Sequence, residues 1–432
     1  MRLRVHHALS IAVLAFGAAC SDNPASTIVG VSPDATSALG SDRAFHMVAR
    51  DWNVGEASAC SLSGGTLYCW GENAYWNYGG PGPAVASPFA PAAVQLGFVE
   101  MARGPSSQFF CGIKDDRSAA CWGRGGFGMT GRGVLDQFRN TPAPVAGGIS
   151  WTEITTGRLS ACGVSTTGEG YCWGSNQRGE VGRASVPLGG SNNPASLTTA
   201  PALLDGGLTW RSVVAGWLHA CGITADRDAY CWGDNSRGQL GLGTIDNTPD
   251  HRSPAPVVGG HKFIQLSLGA THTCGVTLQH QVYCWGENFT GQVGDGTTTD
   301  VGAPTLVGGR QRFFYVAAGS DFAVGGNVTP PASSGQAAVG HTCALTPAGE
   351  AWCWGWNAAG QLGDGTTNSS LVPVAVAGGL RFTSLSLGGT ASCGRRANRV
   401  WCWGGNQFGQ LGIGSLTNVS IPTLVDSPFN VP

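Results

Sequence analysis

Residues 231–243 read CWGDNSRGQLGLG, residues 353–365 read CWGWNAAGQLGDG, and residues 402–414 read CWGGNQFGQLGIG. The leading Cys-Trp-Gly unit occurs seven times in the chain, at intervals of 49 to 69 residues. A motif that recurs in order along a chain is the mark of a repeat architecture, in which each repeat is one structural unit. The sequence therefore predicts seven structural repeats.

Each Cys-Trp-Gly cysteine has a partner cysteine nine or ten residues upstream. The pairs are Cys60 and Cys69, Cys111 and Cys121, Cys162 and Cys172, Cys221 and Cys231, Cys274 and Cys284, Cys343 and Cys353, and Cys393 and Cys402. A two-residue turn at Gly64-Gly65 would place Cys60 opposite Cys69 at a non-hydrogen-bonded position, where Cα atoms lie about 4.5 Å apart. A disulfide can bridge that distance. We expect one cross-strand disulfide in every repeat.

The pair around Ala397-Asn398 has the same spacing as the first, and the other five pairs fit three-residue turns. Gly168 and Gly349 stand where such a turn needs a left-handed residue. Zinc sites bring paired ligands two to four residues apart, so this spacing does not favour a metal. Seven disulfides indicate an oxidising compartment.

The N-terminal residues 1–20 read as a signal segment, with Arg2 and Arg4 before an apolar run from Ala8 to Ala19. The run is too short to span a bilayer, which needs about 20 residues. Its end, Gly-Ala-Ala before Cys20, resembles the lipobox of bacterial lipoproteins, in which the cysteine is acylated. The alternative is an ordinary cleaved signal with a chance cysteine. Residues 21–43 are expected to form a flexible tether, and residues 44–432 the folded domain.

The composition is that of a β-rich repeat protein with many tight turns. The chain has 69 Gly, 12% charged residues and a net charge of −2. A nucleic-acid-binding protein usually carries a clear basic excess, so no nucleic-acid partner is expected. With 42% hydrophobic residues, the chain is also unlike a disordered one.

Upstream of five of the seven cysteine pairs lies a Gly-x-x-x-x-Cys element, as at residues 216–221 and 269–274. Together with the Cys-Trp-Gly-x-Asn-x-x-Gly-Gln-Leu-Gly pattern, it resembles the regulator of chromosome condensation repeat family over about residues 44–425. The resemblance implies an all-β, seven-bladed β-propeller of four-stranded antiparallel blades. Residues 421–425 match 304–307, and the first repeat, which begins near Phe45, lacks such a strand. We therefore expect the C-terminal strand to close the first blade.

The repeat also predicts structural side chains. The seven tryptophans alternate with the cysteines and should pack between blades; they are Trp70, Trp122, Trp173, Trp232, Trp285, Trp354 and Trp403. The motif asparagines Asn235, Asn288 and Asn357 are expected to shape the turn that leaves the strand. The histidines His219, His272 and His341 share one repeat position and are interpreted as structural rather than as ligands.

No catalytic constellation is recognisable. The sequence contains no nucleophile elbow, phosphate-binding loop or metal-ligand helix motif. The Asp-Gly-Thr-Thr loops at Asp295 and Asp364 offer too few oxygens for calcium and are interpreted as turns. We therefore predict no catalytic residue, no metal and no cofactor.

Departures from the repeat are the candidate binding positions. They are Tyr75, Trp76 and Tyr78 in the first repeat, Phe127 in the second beside Arg124 and Met129, and Trp217 and Trp356 in later repeats. Exposed aromatic clusters commonly anchor interfaces, although those of the first repeat could instead cover a ring closure. Two insertions, Arg183 to Thr199 and Ser320 to Ala338, are candidate functional loops or tolerated surface insertions; the second interpretation is favoured for Ser320 to Ala338.

The sequence favours a non-catalytic, lipid-anchored binding or scaffold propeller of the bacterial cell envelope, or a secreted one. We expect a monomer that binds an unknown protein or glycan at the cell surface and meets the membrane only through its N-terminal lipid. Alternatives are an inhibitor of a secreted enzyme, a purely structural or adhesive role, and a polysaccharide-acting enzyme with two converging carboxylates. Some relatives catalyse guanine-nucleotide exchange on a small GTPase, which the predicted export disfavours for this chain.

Overall fold

A computed structural model describes residues 52–54, 58–63, 66–71, 92–95, 97–102, 104, 109–189, 193–248, 251–322, 338–397 and 399–426. All of them belong to one compact unit, Met47–Pro432. The predicted signal segment, Cys20 and the tether lie outside the described residues, and their roles stay predictions. Within the described residues, no helix has the length and apolar character needed to cross a membrane.

The described strands form seven four-stranded sheets. Blade 1 contains β1 (Trp52–Val54), β2 (Ser58–Ser63), β3 (Thr66–Gly71) and β4 (Ala92–Gln95). Blade 2 contains β5 (Phe98–Met101), β6 (Phe109–Lys114), β7 (Ala119–Arg124) and β8 (Phe138–Pro144). Blade 3 contains β9 (Trp151–Thr156), β10 (Ser160–Ser165), β11 (Gly170–Ser175) and β12 (Leu197–Leu203), with a short 3₁₀ helix at Pro194–Ser196. Blade 4 contains β13 (Trp210–Ala215), β14 (His219–Thr224), β15 (Ala229–Gly233) and β16 (Ala255–Pro256).

The later blades follow the same order. Blade 5 contains β17 (Phe263–Leu268), β18 (His272–Thr277), β19 (Val282–Gly286) and β20 (Val301–Leu306). Blade 6 contains β21 (Tyr315–Phe322), β22 (Ala338–Leu345), β23 (Ala351–Gly355) and β24 (Ser370–Ala375). Blade 7 contains β25 (Ser384–Leu387), β26 (Ala391–Arg396), β27 (Arg399–Gly404) and β28 (Val419–Leu424). Each sheet is an antiparallel meander of consecutive strands, and the prediction of an all-β propeller with four-stranded antiparallel blades is confirmed.

Every blade carries the predicted disulfide between its second and third strands. The seven bonds join the cysteine pairs that the sequence indicates. In blade 5, for example, Cys274 and Cys284 are register partners with Cα atoms 4.1 Å apart. The spacing of the cysteines therefore predicted the register of each central hairpin correctly.

The hairpin turns confirm the predicted backbone conformations at two glycines. Gly168 and Gly349 have φ of +85° and +83°. At the corresponding turns of blades 2, 4 and 5 the left-handed residue is not glycine but Arg117, Arg227 or His280. A left-handed conformation costs a residue with a Cβ roughly 1–2 kcal/mol.

Replacing Gly168 with alanine should lower the free energy of unfolding by about 1–2 kcal/mol, because the added Cβ disfavours positive φ. A reciprocal variant serves as the control: Ala397 has φ of +51° in the blade 7 turn, so Ala397→Gly should not destabilise the protein. Urea unfolding of both variants measures the two effects. Equal losses in both would contradict the conformational explanation.

The C-terminal strand does not close the first blade, and that prediction is wrong. The β28 strand pairs with β27, with Cys402 opposite Thr423. The fourth strand of blade 1 is β4, which pairs with β3. The loop from Gly404 to Val419 returns β28 to the side of β27, so this repeat completes its own sheet. Blade 1 instead contacts blade 7 through side chains: the Trp70 indole Nε1 donates to the backbone oxygen of Gln410, 2.9 Å away.

The tryptophans of the motif are buried between neighbouring blades, as predicted. All seven are fully buried, and Trp285 of blade 5 donates from Nε1 to the backbone oxygen of Gln239 in blade 4, at 2.9 Å. The same bond joins other neighbouring blades, from Trp173 to Met129, Trp232 to Glu180, Trp354 to Gln292, Trp403 to Gln361, and Trp70 to Gln410. The glycine of the motif is needed beside this contact: Gly286 has φ of +104°, and a Cβ there would lie 2.5 Å from the backbone oxygen of Thr271.

The outer edges of the sheets contain prolines. They include Pro142, Pro201, Pro304, Pro373 and Pro422 in β8, β12, β20, β24 and β28. Proline cannot donate a ladder hydrogen bond and within sheets is tolerated mainly on edge strands. These residues discourage another chain from pairing with the exposed edges.

Candidate binding face

The meander gives each blade two different ends. The connections between the first and second strands, and between the third and fourth, leave the same end of a sheet. We call this end of the sheets the loop face. The central hairpin turns, and the connections from one blade to the next, lie at the opposite end, the hairpin face. Equivalent connections of neighbouring blades contact each other. For example, the Arg158 N–H of blade 3 donates to the Gly216 oxygen of blade 4, and both residues lie between the first and second strands of their blades.

The motif asparagines hold the loops after the third strand, as predicted. The Asn288 side-chain oxygen accepts the Val293 N–H at 3.0 Å, and its amide nitrogen donates to the Thr297 backbone oxygen at 3.1 Å. Asn235, Asn357 and Asn406 make the equivalent bonds in blades 4, 6 and 7. The loop conformation is therefore fixed from within.

The acidic residues of these loops are engaged in the same internal bonds. Asp295 Oδ1 accepts the backbone N–H and hydroxyl of Thr297 at 2.9 and 2.8 Å, and Asp364 does so with Thr366. These contacts are those of turns, in agreement with the interpretation from the sequence. Across the part of the chain that the structure describes, no group of three or more His, Cys, Asp and Glu side chains could hold a metal ion.

The three repeat histidines are buried and connect adjacent blades. His219 Nε2 lies 2.9 Å from Thr273 Oγ1, and this hydroxyl donates to the Gln239 oxygen that also accepts from Trp285. His272 and His341 repeat the arrangement with Thr342 and Ser392. Burial lowers the pKa of each histidine from 6.5 to about 3. The histidines are therefore neutral structural groups, as the repeat position indicated.

Glu180 is a buried acidic residue on the loop face that the sequence did not single out. It replaces the motif glutamine in blade 3 (GEVG instead of GQLG) and is fully buried. Its carboxylate oxygens accept the N–H groups of Gln177 and Arg178 at 3.0 and 2.7 Å. Burial raises the pKa of Glu180 to about 7 despite these bonds. The sequence does contain a sign of it, because Glu180 stands at the motif position where blades 4–7 have glutamine.

Trp217 does not offer an exposed contact surface, so its assignment as a partner-binding residue is wrong. The side chain is 2% exposed, and the Arg158 guanidinium lies 3.9 Å from the centre of its ring. Trp217 instead packs in the connection between β13 and β14, next to Ala270 of blade 5. A repeat position adjacent to the next blade buries a large side chain, which spacing along the sequence does not reveal.

The other candidate aromatics have different outcomes. Phe127 and Trp356 are half-buried on the loop face, and the Arg124 guanidinium lies 5.2 Å from the Phe127 ring centre. Met129, beside them in the sequence, is fully buried. Tyr75, Trp76 and Tyr78 lie outside the described residues and stay predictions.

The sequence reasoning also missed Phe408. This side chain is 47% exposed in the loop after β27, at the motif position that Phe127 occupies in blade 2 and Arg237 in blade 4. The sequence could have indicated it, because Phe408 is an aromatic residue two positions before the motif glutamine, as Phe127 is in the equivalent position. Phe408 is the most exposed described aromatic side chain that the loop face presents.

The two insertions both begin on the loop face. In blade 3 the insertion is tied to the motif loop, because the Asn176 amide donates to the backbone oxygens of Val186 and Pro187 at 3.2 and 3.1 Å. In blade 6 the insertion begins within β21, because its first residues, Ser320 to Phe322, extend this strand and pair with β22. Residues 190–192 and 323–337 lie outside the described residues. The described ends of both insertions therefore lie on the same face as Phe127, Trp356 and Phe408.

Comparison with known protein families identifies repeats in the second half of the chain. The regulator of chromosome condensation (RCC1) repeat matches residues 228–276, 279–325, 348–394 and 397–432, and a second model of this repeat matches 210–239 and 263–292. The Ultraviolet-B receptor UVR8 of Arabidopsis thaliana is 32% identical over 278 residues, which cover 64% of this chain and 56% of the receptor. Human E3 ubiquitin-protein ligase HERC2 is 28% identical over 296 residues, 66% of this chain but 6% of the ligase. The chain therefore matches only part of these relatives.

Solved structures share the fold at low sequence identity. Prp20p of Saccharomyces cerevisiae superposes with a TM-score of 0.71 at 17% identity, over 91% of this chain and 90% of Prp20p. Human WBSCR16 gives a TM-score of 0.69 at 20% identity, over 84% of this chain and 94% of WBSCR16. At this level of identity the likeness concerns the fold alone.

Proposed function

We propose that this chain, a member of the regulator of chromosome condensation repeat family, is a non-catalytic binding propeller that works outside the cytoplasm and is anchored to the envelope through Cys20. The observation that carries the proposal is the difference between the two faces. The central turns of the hairpin face are short, whereas the loop face carries the described ends of both insertions together with Phe127, Trp356 and Phe408. Variable loops on a rigid scaffold commonly carry recognition. The partner is a protein or glycan at the cell surface.

The disulfides support the proposed location. All fourteen hairpin cysteines are paired and buried. Such bonds form and persist in oxidising compartments and are rare where glutathione and thioredoxin keep thiols reduced. We also infer that the seven sheets close into one seven-bladed ring, which the bond from Trp70 to Gln410 favours.

The structural relatives support protein binding as the function class. Prp20p is described with binding properties towards Gsp1p and histones, and a yeast structure contains Kap60 bound to RCC1 (Prp20). These partners belong to those proteins. For this chain we propose only that the same fold presents a protein-binding face, and the proposed export disfavours a cytoplasmic or nuclear partner.

The loop-face carboxylates do not favour an enzyme. Glu180 holds two backbone N–H groups, Asp234 accepts from Ser236 and Gln239, and Asp295 closes a turn. A glycosidase needs two carboxylates directed at one bond. Carboxylates already bonded within the fold are better suited to holding the loops.

The experiment is a cross-linking pull-down from intact cells with the full-length chain as bait. Phe408→Ser should lower partner recovery by roughly tenfold, because truncating an exposed interface aromatic removes a large share of binding energy. Leu278→Ser is the matched control, since Leu278 lies on the hairpin face and is 45% exposed, against 47% for Phe408. The Leu278 variant should recover the partner as the unaltered bait does.

Two further outcomes test the binding face and the membrane anchor separately. Loss of the partner in the Leu278 variant, but not in the Phe408 variant, would move the binding site to the hairpin face. When membranes are washed at high salt, which screens contacts between exposed charges, Cys20→Ser should release the protein from the membrane fraction without changing partner recovery from a soluble extract. Retention of the Cys20 variant in the membrane fraction after the high-salt wash would contradict Cys20 as the anchoring residue.

A further inference from the structure

The hairpin face has an uneven distribution of charge. In blades 5–7 its turns, the strand ends beside them and the blade connections carry six arginines against two acidic residues, Glu350 and Asp426. The arginines are Arg310, Arg312, Arg381, Arg395, Arg396 and Arg399, and all except the half-buried Arg395 are exposed. The corresponding segments of blades 2–4 carry four basic and six acidic residues. A chain with net charge −2 thus concentrates positive charge on one half of one face.

The centre of this basic half is a repulsive pair. Arg396 and Arg399 are register partners directly across the blade 7 turn, and both side chains are exposed. Like charges directly opposite in an antiparallel pair are destabilising. The turns of the other described hairpins do not place two cations opposite each other. The repulsion between the two guanidinium groups destabilises the free protein. An anion bound between them would turn this repulsion into attraction to the ligand.

Neighbouring arginines are oriented mainly by neutral backbone groups. Arg395 Nε donates to the Ala397 oxygen at 2.9 Å, and Arg312 Nη1 donates to the Gln279 oxygen at 3.4 Å. Arg381 donates to the Ala348 oxygen at 2.7 Å and also pairs with Glu350 at 3.2 Å. Backbone oxygens fix the direction of a guanidinium group without cancelling its charge, so the positive field of the surface is preserved.

We propose that this basic half of the hairpin face docks on anionic lipid headgroups. The arginines come from the turns and connections of three successive blades, which lie at the same end of their sheets, so their charge is spread over several blades. Arginine binds phosphate bidentately, and cations at an anionic membrane surface each strengthen binding by about fivefold. Docking in this orientation would direct the loop face away from the membrane. The inference goes beyond the proposed function, because it adds a salt-sensitive membrane contact to the anchor at Cys20.

The test uses the full-length chain with Cys20→Ser, so that no acyl group contributes. Co-sedimentation is measured with vesicles of phosphatidylcholine alone and with an equimolar mixture of phosphatidylcholine and phosphatidylglycerol. We expect binding to the mixed vesicles only, weakening as salt is added. Adding Arg396→Ser and Arg399→Ser should lower the partition coefficient on the order of 25-fold, from about fivefold for each arginine.

The control removes two arginines from the loop face, Arg183→Ser and Arg252→Ser, and should leave vesicle binding nearly unchanged. Equal loss in both double variants would overturn the proposal, because net charge rather than this surface would then control binding. Absence of binding to the mixed vesicles at low salt would also overturn it. Binding to polyglutamate without binding to the vesicles would reassign the surface to an acidic polypeptide. These vesicle experiments test only the hairpin face, so their failure would leave the proposed binding function of the loop face, which the Phe408 pull-down tests, unaffected.

Discussion

The free energy of unfolding should fall steeply as the pH is lowered from 6.5 towards 3, by up to about 4 kcal/mol per pH unit. The cause is the set of buried histidines His219, His272 and His341, whose pKa values burial lowers from 6.5 to about 3. Between these pH values the unfolded chain binds a proton at each histidine and the folded chain does not. Stability is therefore complete above pH 6.5 and is lost as the pH falls towards the folded pKa.

Glutamine substitutions isolate this effect. The amide of glutamine can still donate to Thr273, Thr342 or Ser392 but does not titrate. His219→Gln alone should reduce the slope of stability against pH by about one third, and the triple variant should remove most of the histidine contribution. Chemical unfolding at a series of pH values measures the slopes. A wild-type slope that the triple variant leaves unchanged would contradict the assignment.

A second large effect, of opposite sign, is expected at Glu180. Burial raises the pKa of its carboxyl group from 4.5 to about 7. The folded chain therefore holds a proton that the unfolded chain releases, and stability decreases as the pH rises from 4.5 through 7. Above pH 7 the buried carboxylate costs roughly 3 kcal/mol relative to the protonated form.

Glu180→Gln restores the residue that blades 4–7 carry at this position, namely Gln239, Gln292, Gln361 and Gln410. The variant should be more stable than the wild type by roughly 3 kcal/mol at pH 8, with little difference at pH 4. The reverse change, Gln239→Glu, is the control: Gln239 Nε2 donates to Asp234 Oδ2 at 2.8 Å, so a carboxylate there should destabilise the fold at pH 8. Thermal unfolding at the two pH values measures both. A gain from Glu180→Gln that is equal at pH 4 and pH 8 would show that titration is not the cause.

The repeated elements of the fold could be predicted from the sequence because their spacing encodes register. Cysteines nine or ten residues apart determine which residues face each other in a hairpin, and Gly168 and Gly349 identify the left-handed turn residues. The alternation of cysteine and tryptophan placed Trp285 and its equivalents between blades. In each case a local pattern determines a local geometry.

The errors concern contacts between repeats. The C-terminal strand matched an outer strand in sequence, but the match does not say which hairpin it pairs with, and β28 completes blade 7. Trp217 looked like a surface departure, but the next blade covers it. Glu180 looks polar and solvated in the sequence and is buried beside the tryptophan of blade 4. The same is true of the binding face, because only the sheet topology places Phe127, Trp356 and Phe408 on one side.

The proposed function requires export to an oxidising compartment, and the state of the hairpin cysteines in the native host tests this requirement. Intact cells would be treated with a membrane-permeant alkylating reagent before lysis, and the protein analysed by mass spectrometry without reduction. We predict no alkylation at any of the fourteen hairpin cysteines, which the seven bonds account for completely. Alkylation at hairpin cysteines in most molecules would contradict the account, because it would place the propeller in a reducing compartment.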